Sequence, residues 1–293
     1  MLAEQIANGV VVGGLYALVA LGFTLVFGLL DKLNFAHGEV VTLAGFVALV
    51  AVQLGASVWL AIPIVIVVTG LSGLLIELLS FRAFTSKEGH SVSALSSFAL
   101  GIVILEVVRL EYGAAPLNLA IPTTIYTSGI SILGAPIPWV KLATLGISVV
   151  LMIGLHVVVG HTRLGRQIRA VGEAPTSAML LGIHVTRVIQ YVFVVASALA
   201  GISGLLIAMQ GGFVSSEVGF TFALKGIAIM AIGGMGDLRG AVLAGLLIGI
   251  AEGIAIHYGL GGFSDVLVWL VMIAVLLIRP EGLLGGGRRE VRA

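Results

Sequence analysis

The chain of 293 residues contains no cysteine, and only 10% of its residues are charged. The first absence excludes a disulfide framework, a thiolate metal site and a cysteine nucleophile. The second excludes an ordinary soluble domain, in which about a quarter of residues carry charge. A basic leader is also missing, since Lys32 is the first cation, so Met1 to Leu30 reads as a retained span rather than a cleaved signal. No G-x-x-x-x-G-K-[ST] phosphate loop occurs. Without it the chain is not expected to hydrolyse ATP alone, and with no nucleophile–base constellation it is not read as an enzyme. His156, His161 and His184 lack the spacing of a metal site, so no metal and no cofactor bound by this chain is expected. The net charge of +1 does not point to nucleic acid as a partner.

What is present is apolar: 59% of residues are hydrophobic, in recurring runs long enough to cross a hydrocarbon core of about 30 Å as helices. The runs fall at 6–30, 36–54, 58–80, 91–110, 139–160, 188–209, 220–234, 239–257 and 263–279. They predict one all-α domain over 1–293, a polytopic transmembrane helical bundle of about eight to nine membrane segments. The seventh run is short for an untilted crossing, and the second begins with Asn34, His37 and Glu39. Either is a candidate broken or re-entrant segment, which is tolerated only where protein or a wet cavity surrounds it. Glycine, at 41 residues, predicts close helix packing. Gly245, Gly249 and Gly253 recur every fourth residue on one helix face, and Ser197, Ala200, Gly201 and Gly204 form a second small-residue stripe. A loose echo between the segments starting at His37 and Arg239 is too faint to define a repeat.

Cations set the expected orientation, because positively charged loops stay cytoplasmic. Arg82 and Lys87 mark one loop, Arg163, Arg166, Arg169 and Arg187 a second, and Arg279, Arg288, Arg289 and Arg292 the C-terminal tail. Nine crossings place all three inside, with the N-terminus outside and 111–138 as the longest external loop. That loop lacks Lys and Arg, and its Ile121 to Ile132 stretch predicts a small surface hairpin. Arg109, Lys141 and Lys225 are expected near external helix ends, within reach of the interface by snorkelling. Glu77 with Arg82, and Glu106 with Arg109, read as structural pairs.

The inner loop 161–187 is polar in a chain this apolar, so it faces water or a docked protein. Arg163, Arg166 and Arg169 share one helix face. Pro175 suits a first helical turn and Gly182 a C-terminal stop, which predicts a two-turn helix from Pro175 to Leu181. It would expose Thr176 and Ser177 and present Met179, Leu180 and Leu181 as apolar knobs. Spacing alone equally fits an interfacial helix in an ordinary inner loop.

The stretch from Leu164 to Val185 resembles the cytoplasmic loop of LivH-type permeases of branched-chain amino-acid ABC transporters. Three further stretches resemble that family in the same order: Gly13 to Gly28 with Leu33 to Glu39, Ala231 to Gly245, and Arg279 to Gly285. The resemblance implies a permease subunit of an ATP-driven importer in the bacterial inner membrane. Its implied partners are a LivM-like second permease, two cytoplasmic ATPases carrying ATP and Mg, and a periplasmic binding protein that delivers the amino acid. It also implies that the loop helix sits in an ATPase cleft through an E-A-A-x-x-x-G element. Counting back from Gly182, Thr176, Ser177 and Ala178 stand at the E-A-A positions, so the glutamate is missing, and Glu173 replaces it only with a shift of register. Candidate coupling residues are Arg166, Arg169, Glu173, Pro175, Thr176, Ser177, Ala178, Met179, Leu181 and Gly182. Alternative cargoes are urea, amides or aromatic acids. The rival mechanism is an ATP-independent secondary transporter or channel, against which stand the few deep ionisable groups and the docking loop.

Ionisable groups in hydrocarbon cost several kcal/mol and normally face the bundle interior or a cavity. Asn34, His37 and Glu39 therefore read either as a structural cap near the inner interface or as part of a translocation path. Glu252, three residues after Gly249, reads either as a path residue or as the partner of a neighbouring helix.

Overall fold

The computed structural model describes residues 2–84, 89–122, 124–132 and 135–285. Lys87, Arg288, Arg289 and Arg292 lie outside the described residues. The helices, in chain order, are α1 (Leu2–Leu30), α2 (His37–Gln53), α3 (Val58–Ile76, continued by a π-helical turn Glu77–Phe81), α4 (Gly89–Tyr112), α5 (Thr124–Thr127), α6 (Trp139–His161), α7 (Arg163–Glu173), α8 (Pro175–Leu180), α9 (Val185–Gly211), α10 (Val218–Gly233), α11 (Leu238–His257) and α12 (Ser264–Ile278). Among the described residues seven helical segments are long and apolar enough to cross a membrane, while α2 and α10 are the shorter apolar helices. The expected all-α membrane bundle is what forms.

Local chemistry fixes where the helices start and stop. Asp31, with φ 54°, ends α1 by donating its N–H to the Phe27 carbonyl at 2.8 Å. Asp is one of the few residues that visits this left-handed region routinely. Ser57 caps α3, and Asp237 caps α11 through Oδ1 to the N–H groups of Arg239 and Gly240 at 2.8 and 3.0 Å.

Small residues decide the packing. A methyl group placed on Gly249 would lie 2.3 Å from the Gly9 carbonyl oxygen, and one on Gly9 would lie 2.5 Å from that of Gly249. Gly253 meets Gln5, and Gly245 meets Ala17, in the same way. Thus α11 lies antiparallel on α1 at a separation that only glycine permits, as the four-residue spacing predicts. The second stripe does the same for α9 on α3: Gly201 faces Thr69, and Ser197 faces Gly73.

The chain repeats itself with inverted direction. The set α1–α4 and the set α9–α12 each begin with a long helix, continue through an extended segment into a short helix, and end with two spans. α1 packs on α11 and α10, and α9 packs on α3 and α2. The two short helices cross near their N-termini, where a methyl on Gly38 would lie 2.8 Å from the Gly219 carbonyl oxygen and one on Gly219 2.2 Å from that of Gly38. The segment at His37 thus corresponds to that at Val218, not to that at Arg239.

At the end of the bundle that carries α5, strand β1 (Leu117–Asn118) pairs antiparallel with β4 (Phe213–Val214), and β2 (Gly129–Ile132) with β3 (Ala135–Pro138). The hairpin forms later than expected, because 124–127 winds into α5. The Tyr126 hydroxyl donates to the Met209 carbonyl at 2.6 Å, and burial pushes its phenol pKa above the ordinary value. At the opposite end, Leu283 and Leu284 donate backbone N–H groups to Ile232 and Gly233 at 2.8 and 3.0 Å. The glycine-rich turn after α10 and the chain's last described residues therefore pack together, with Gly282 against Gly234. Arg82, the α7–α8 segment and Arg279 all gather at this end, as the cation pattern requires.

Candidate functional site: a docking lever and a polar path

The first candidate site is built from α7 and α8. Thr162 caps α7 by accepting the Gly165 N–H at 3.2 Å, and Gly165, Ile168 and Val171 turn inward. A methyl on Gly172 would lie 3.1 Å from the Gly28 carbonyl oxygen, so α7 rests directly on the end of α1. Arg163, Arg166 and Arg169 are exposed on the outer face, and Arg169 also donates to the Val159 carbonyl.

Pro175 opens α8, and Gly182, with φ 82°, closes it. Gly182 donates to the Met179 carbonyl and Ile183 to that of Ala178, both at 3.0 Å. The helix ends at Leu180 and Leu181 serves as its C-cap, one residue short of the predicted end. Ala178 is buried, whereas Met179, Leu180 and Leu181 are 63%, 86% and 82% exposed. Thr176, Ser177 and Glu173 are exposed as well. This short helix thus fixes one small residue inward and holds three apolar side chains outward, beyond the membrane spans.

The second candidate site is the approach to α2. From Asp31 the chain turns back beside α1, and the His37 ring packs on Phe23 with centroids 4.5 Å apart. Ala36 and Glu39 lie against Gly101, at the middle of α4. α2 therefore begins well inside the bundle, not near an interface. The expected side-chain cap is absent: Ala36 is the N-cap, with no capping side-chain bond. Asn34, His37 and Glu39 are buried; among the described residues both polar atoms of Asn34 and Oε2 of Glu39 lack hydrogen-bond partners, while the His37 ring interacts with the Val19 backbone. The backbone is better served, because Phe35 donates its N–H to Ser97 Oγ at 3.1 Å and His37 donates to the Asn34 carbonyl at 3.2 Å. Such irregular backbone survives at depth because protein encloses it.

Residues 5–276 match the family described as branched-chain amino acid transport system, permease component. The chain belongs to this permease family. It is 32% identical to the high-affinity branched-chain amino acid transport system permease protein BraD of Pseudomonas aeruginosa, over 96% of this chain and 95% of that one. It is 30% identical to the corresponding LivH protein of Escherichia coli K12, with the same coverage. A solved structure of PsaBC from Streptococcus pneumoniae in complex with Fab shares the fold, with a TM-score of 0.51 at 15% identity over 95% of this chain and 92% of that one. A member of a permease family is a transport subunit rather than an enzyme.

One polar cluster of this permease was not legible in its sequence. Lys225 sits mid-helix in α10 rather than near an end, and it does not snorkel. Its ammonium donates to Glu252 Oε1, Asp265 Oδ1 and the Tyr16 hydroxyl, each at 2.9 Å. Tyr16 in turn donates to Glu252 Oε2 at 2.7 Å. Glu252 is thus the partner of a neighbouring helix, and the group ties α1, α10, α11 and the start of α12 together. Two intramembrane charges of opposite sign were the only signal in the sequence. The Glu106 with Arg109 pair forms at 3.2 Å. Glu77 is buried and accepts from Gln190 Nε2 at 3.4 Å, so a neighbouring helix supplies its hydrogen-bond partner while Arg82 acts on it through charge alone.

Proposed function

We propose that this permease forms, with a second LivM-like permease, the path by which a branched-chain amino acid crosses the bacterial inner membrane. A periplasmic binding protein delivers the amino acid, and two cytoplasmic ATPases carrying ATP and Mg drive the cycle. The N-terminus lies outside and the C-terminus inside. The relatives BraD and LivH, named for high-affinity branched-chain amino acid transport, support the cargo. The observation that carries the reading is α8, with Ala178 buried and Met179, Leu180 and Leu181 presented outward. In this reading α8 docks in the ATPase, and α7, seated on Gly28, passes the movement to α1 and to the turn at Gly236. Asn34, His37 and Glu39 belong to the path. Switching proceeds between discrete packings rather than by continuous bending.

The assembled transporter in liposomes should import leucine only with ATP inside the ATPase compartment. Leu180→Asp should insert and assemble with the second permease, yet lose most of the ATPase stimulation by loaded binding protein. Wild-type stimulation in that variant, or leucine uptake by the permeases without ATPases, would overturn the reading.

A further inference from the structure

A small cavity lies between α4 and α10, over the first turn of α2. Phe23, Phe35, Phe98, Phe220 and Leu224 line it together with Glu39. Glu39 is 8% exposed, and its Oε2 has no hydrogen-bond partner. The Thr42 side chain hydrogen-bonds to this carboxylate, and Arg109 acts on it through its charge. Arg109 is itself engaged by Glu106 at 3.2 Å and by Ser216 at 3.4 Å. Gly101 makes room: a methyl there would lie 3.4 Å from Glu39 Cγ. The cavity is not sealed, since Phe35, Phe98 and Phe220 are exposed by 39%, 46% and 55% on the same side.

A buried carboxylate oxygen without a donor is costly, and a ligand that supplies a donor removes that cost. Ring faces attract a cation as well, and apolar walls accept aliphatic carbon. We infer that this cavity is a half-site of the translocation path that takes the α-ammonium of an apolar amino acid on Glu39, while the aliphatic part lies outside it against the exposed faces of Phe35, Phe98 and Phe220. The inference rests on the proposed amino-acid importer and adds to it which group of the cargo this chain reads.

The cysteine-free sequence offers a direct test. Phe98→Cys and Phe220→Cys, each in the complete transporter, are reacted with a cationic and with an anionic methanethiosulfonate of similar size. The cationic reagent should react faster by about tenfold, as local attraction by a carboxylate in a cleft of low dielectric implies. Leucine with binding protein should slow that reaction, and Glu39→Gln should abolish the charge preference. Equal rates for the two reagents, or no reaction with either, would overturn the half-site. The charge preference is measured with Glu39 intact, so the test survives a misfolded Glu39→Gln variant. It also does not depend on ATP-driven uptake: a transporter that fails to import leucine while showing the preference refutes the importer and not the cation-attracting cavity.

Discussion

At the scale of single residues, the side chains that matter most are those with polar atoms inside the bundle. Lys225 and Glu252 differ from Glu39 in that both carboxylate oxygens of Glu252 and the Lys225 ammonium have partners, whereas Oε2 of Glu39 has none among the described residues. Removing Lys225 would leave Glu252, 5% exposed, holding a charge with only Tyr16 as donor. Breaking one side of a buried pair costs about 3–5 kcal/mol, whereas replacing both sides with neutral groups of similar volume is often tolerated. Lys225→Met should therefore lower the thermal unfolding temperature in detergent sharply, and Lys225→Met with Glu252→Gln should recover more than half of that loss. Additive losses in the double variant would show that the pair is not coupled. Sequence identified Glu252 as deep but not its partner, because Lys225 lies on a different helix and no local spacing joins them. Asn34 was likewise marked as deep, yet the lack of partners for its side chain among the described residues is a property of the packed bundle.

At the scale of helices, the apolar runs were legible almost to their ends, because solvation by lipid leaves one backbone solution for a crossing segment. The glycine stripes were legible too, since their four-residue spacing is a property of one helix. What stayed hidden was depth. The extended segments before α2 and α10 hold their helix N-termini inside the bundle through contacts with α4, α1 and each other, which no single segment encodes. The same geometry separates two kinds of glycine. At Gly249 an added methyl meets the backbone of Gly9 and Gly13 at 2.3 and 2.4 Å, which cannot move aside without parting α1 from α11. At Gly146 and Gly154 on α6 an added methyl meets no other described residue within 4 Å beyond the helix's own backbone and chain neighbours. Gly249→Val should abolish recovery of folded permease from the membrane, and Gly146→Val should leave it near the wild-type level. Overpacking costs of about 1–3 kcal/mol apply to the first site alone. Equal recovery of the two variants would mean that α1 and α11 are not held at the observed separation. For α8 the contrast is between Ala178, which is buried, and Gly182, which has open space around its Cβ position but φ 82°. Ala178→Leu should lift α8 off its seat. Gly182→Ala should only strain the helix end, by about 1–2 kcal/mol. Coupled ATPase activity should then fall much further in the former, and the reverse order would mean that the helix end rather than its seat carries coupling.

At the scale of the whole molecule, the inverted repeat gives the permease two short helices that reach its interior from opposite ends and cross at Gly38 and Gly219. An arrangement of this kind lets each half present the same interior point to its own side of the membrane, as alternating access requires. The repeat was not legible in sequence because corresponding positions share little beyond size and apolarity. The proposed orientation in the membrane is argued from charge. Arg82, Arg163, Arg166, Arg169, Arg187 and Arg279 lie at one end, and the opposite end, with β1 to β4, carries far fewer cations. In the proposed orientation, retention of positive loops inside puts α8 in the cytoplasm and the loop between α11 and α12 outside. Tyr258, 71% exposed in that loop, and Leu181, 82% exposed after α8, are suitable reporters at the two ends. In intact spheroplasts a membrane-impermeant maleimide should label Tyr258→Cys and spare Leu181→Cys, and permeabilisation should render Leu181→Cys reactive. The reverse pattern would turn the permease over in the membrane and remove α8 from any ATPase, because ATP hydrolysis is confined to the inner side.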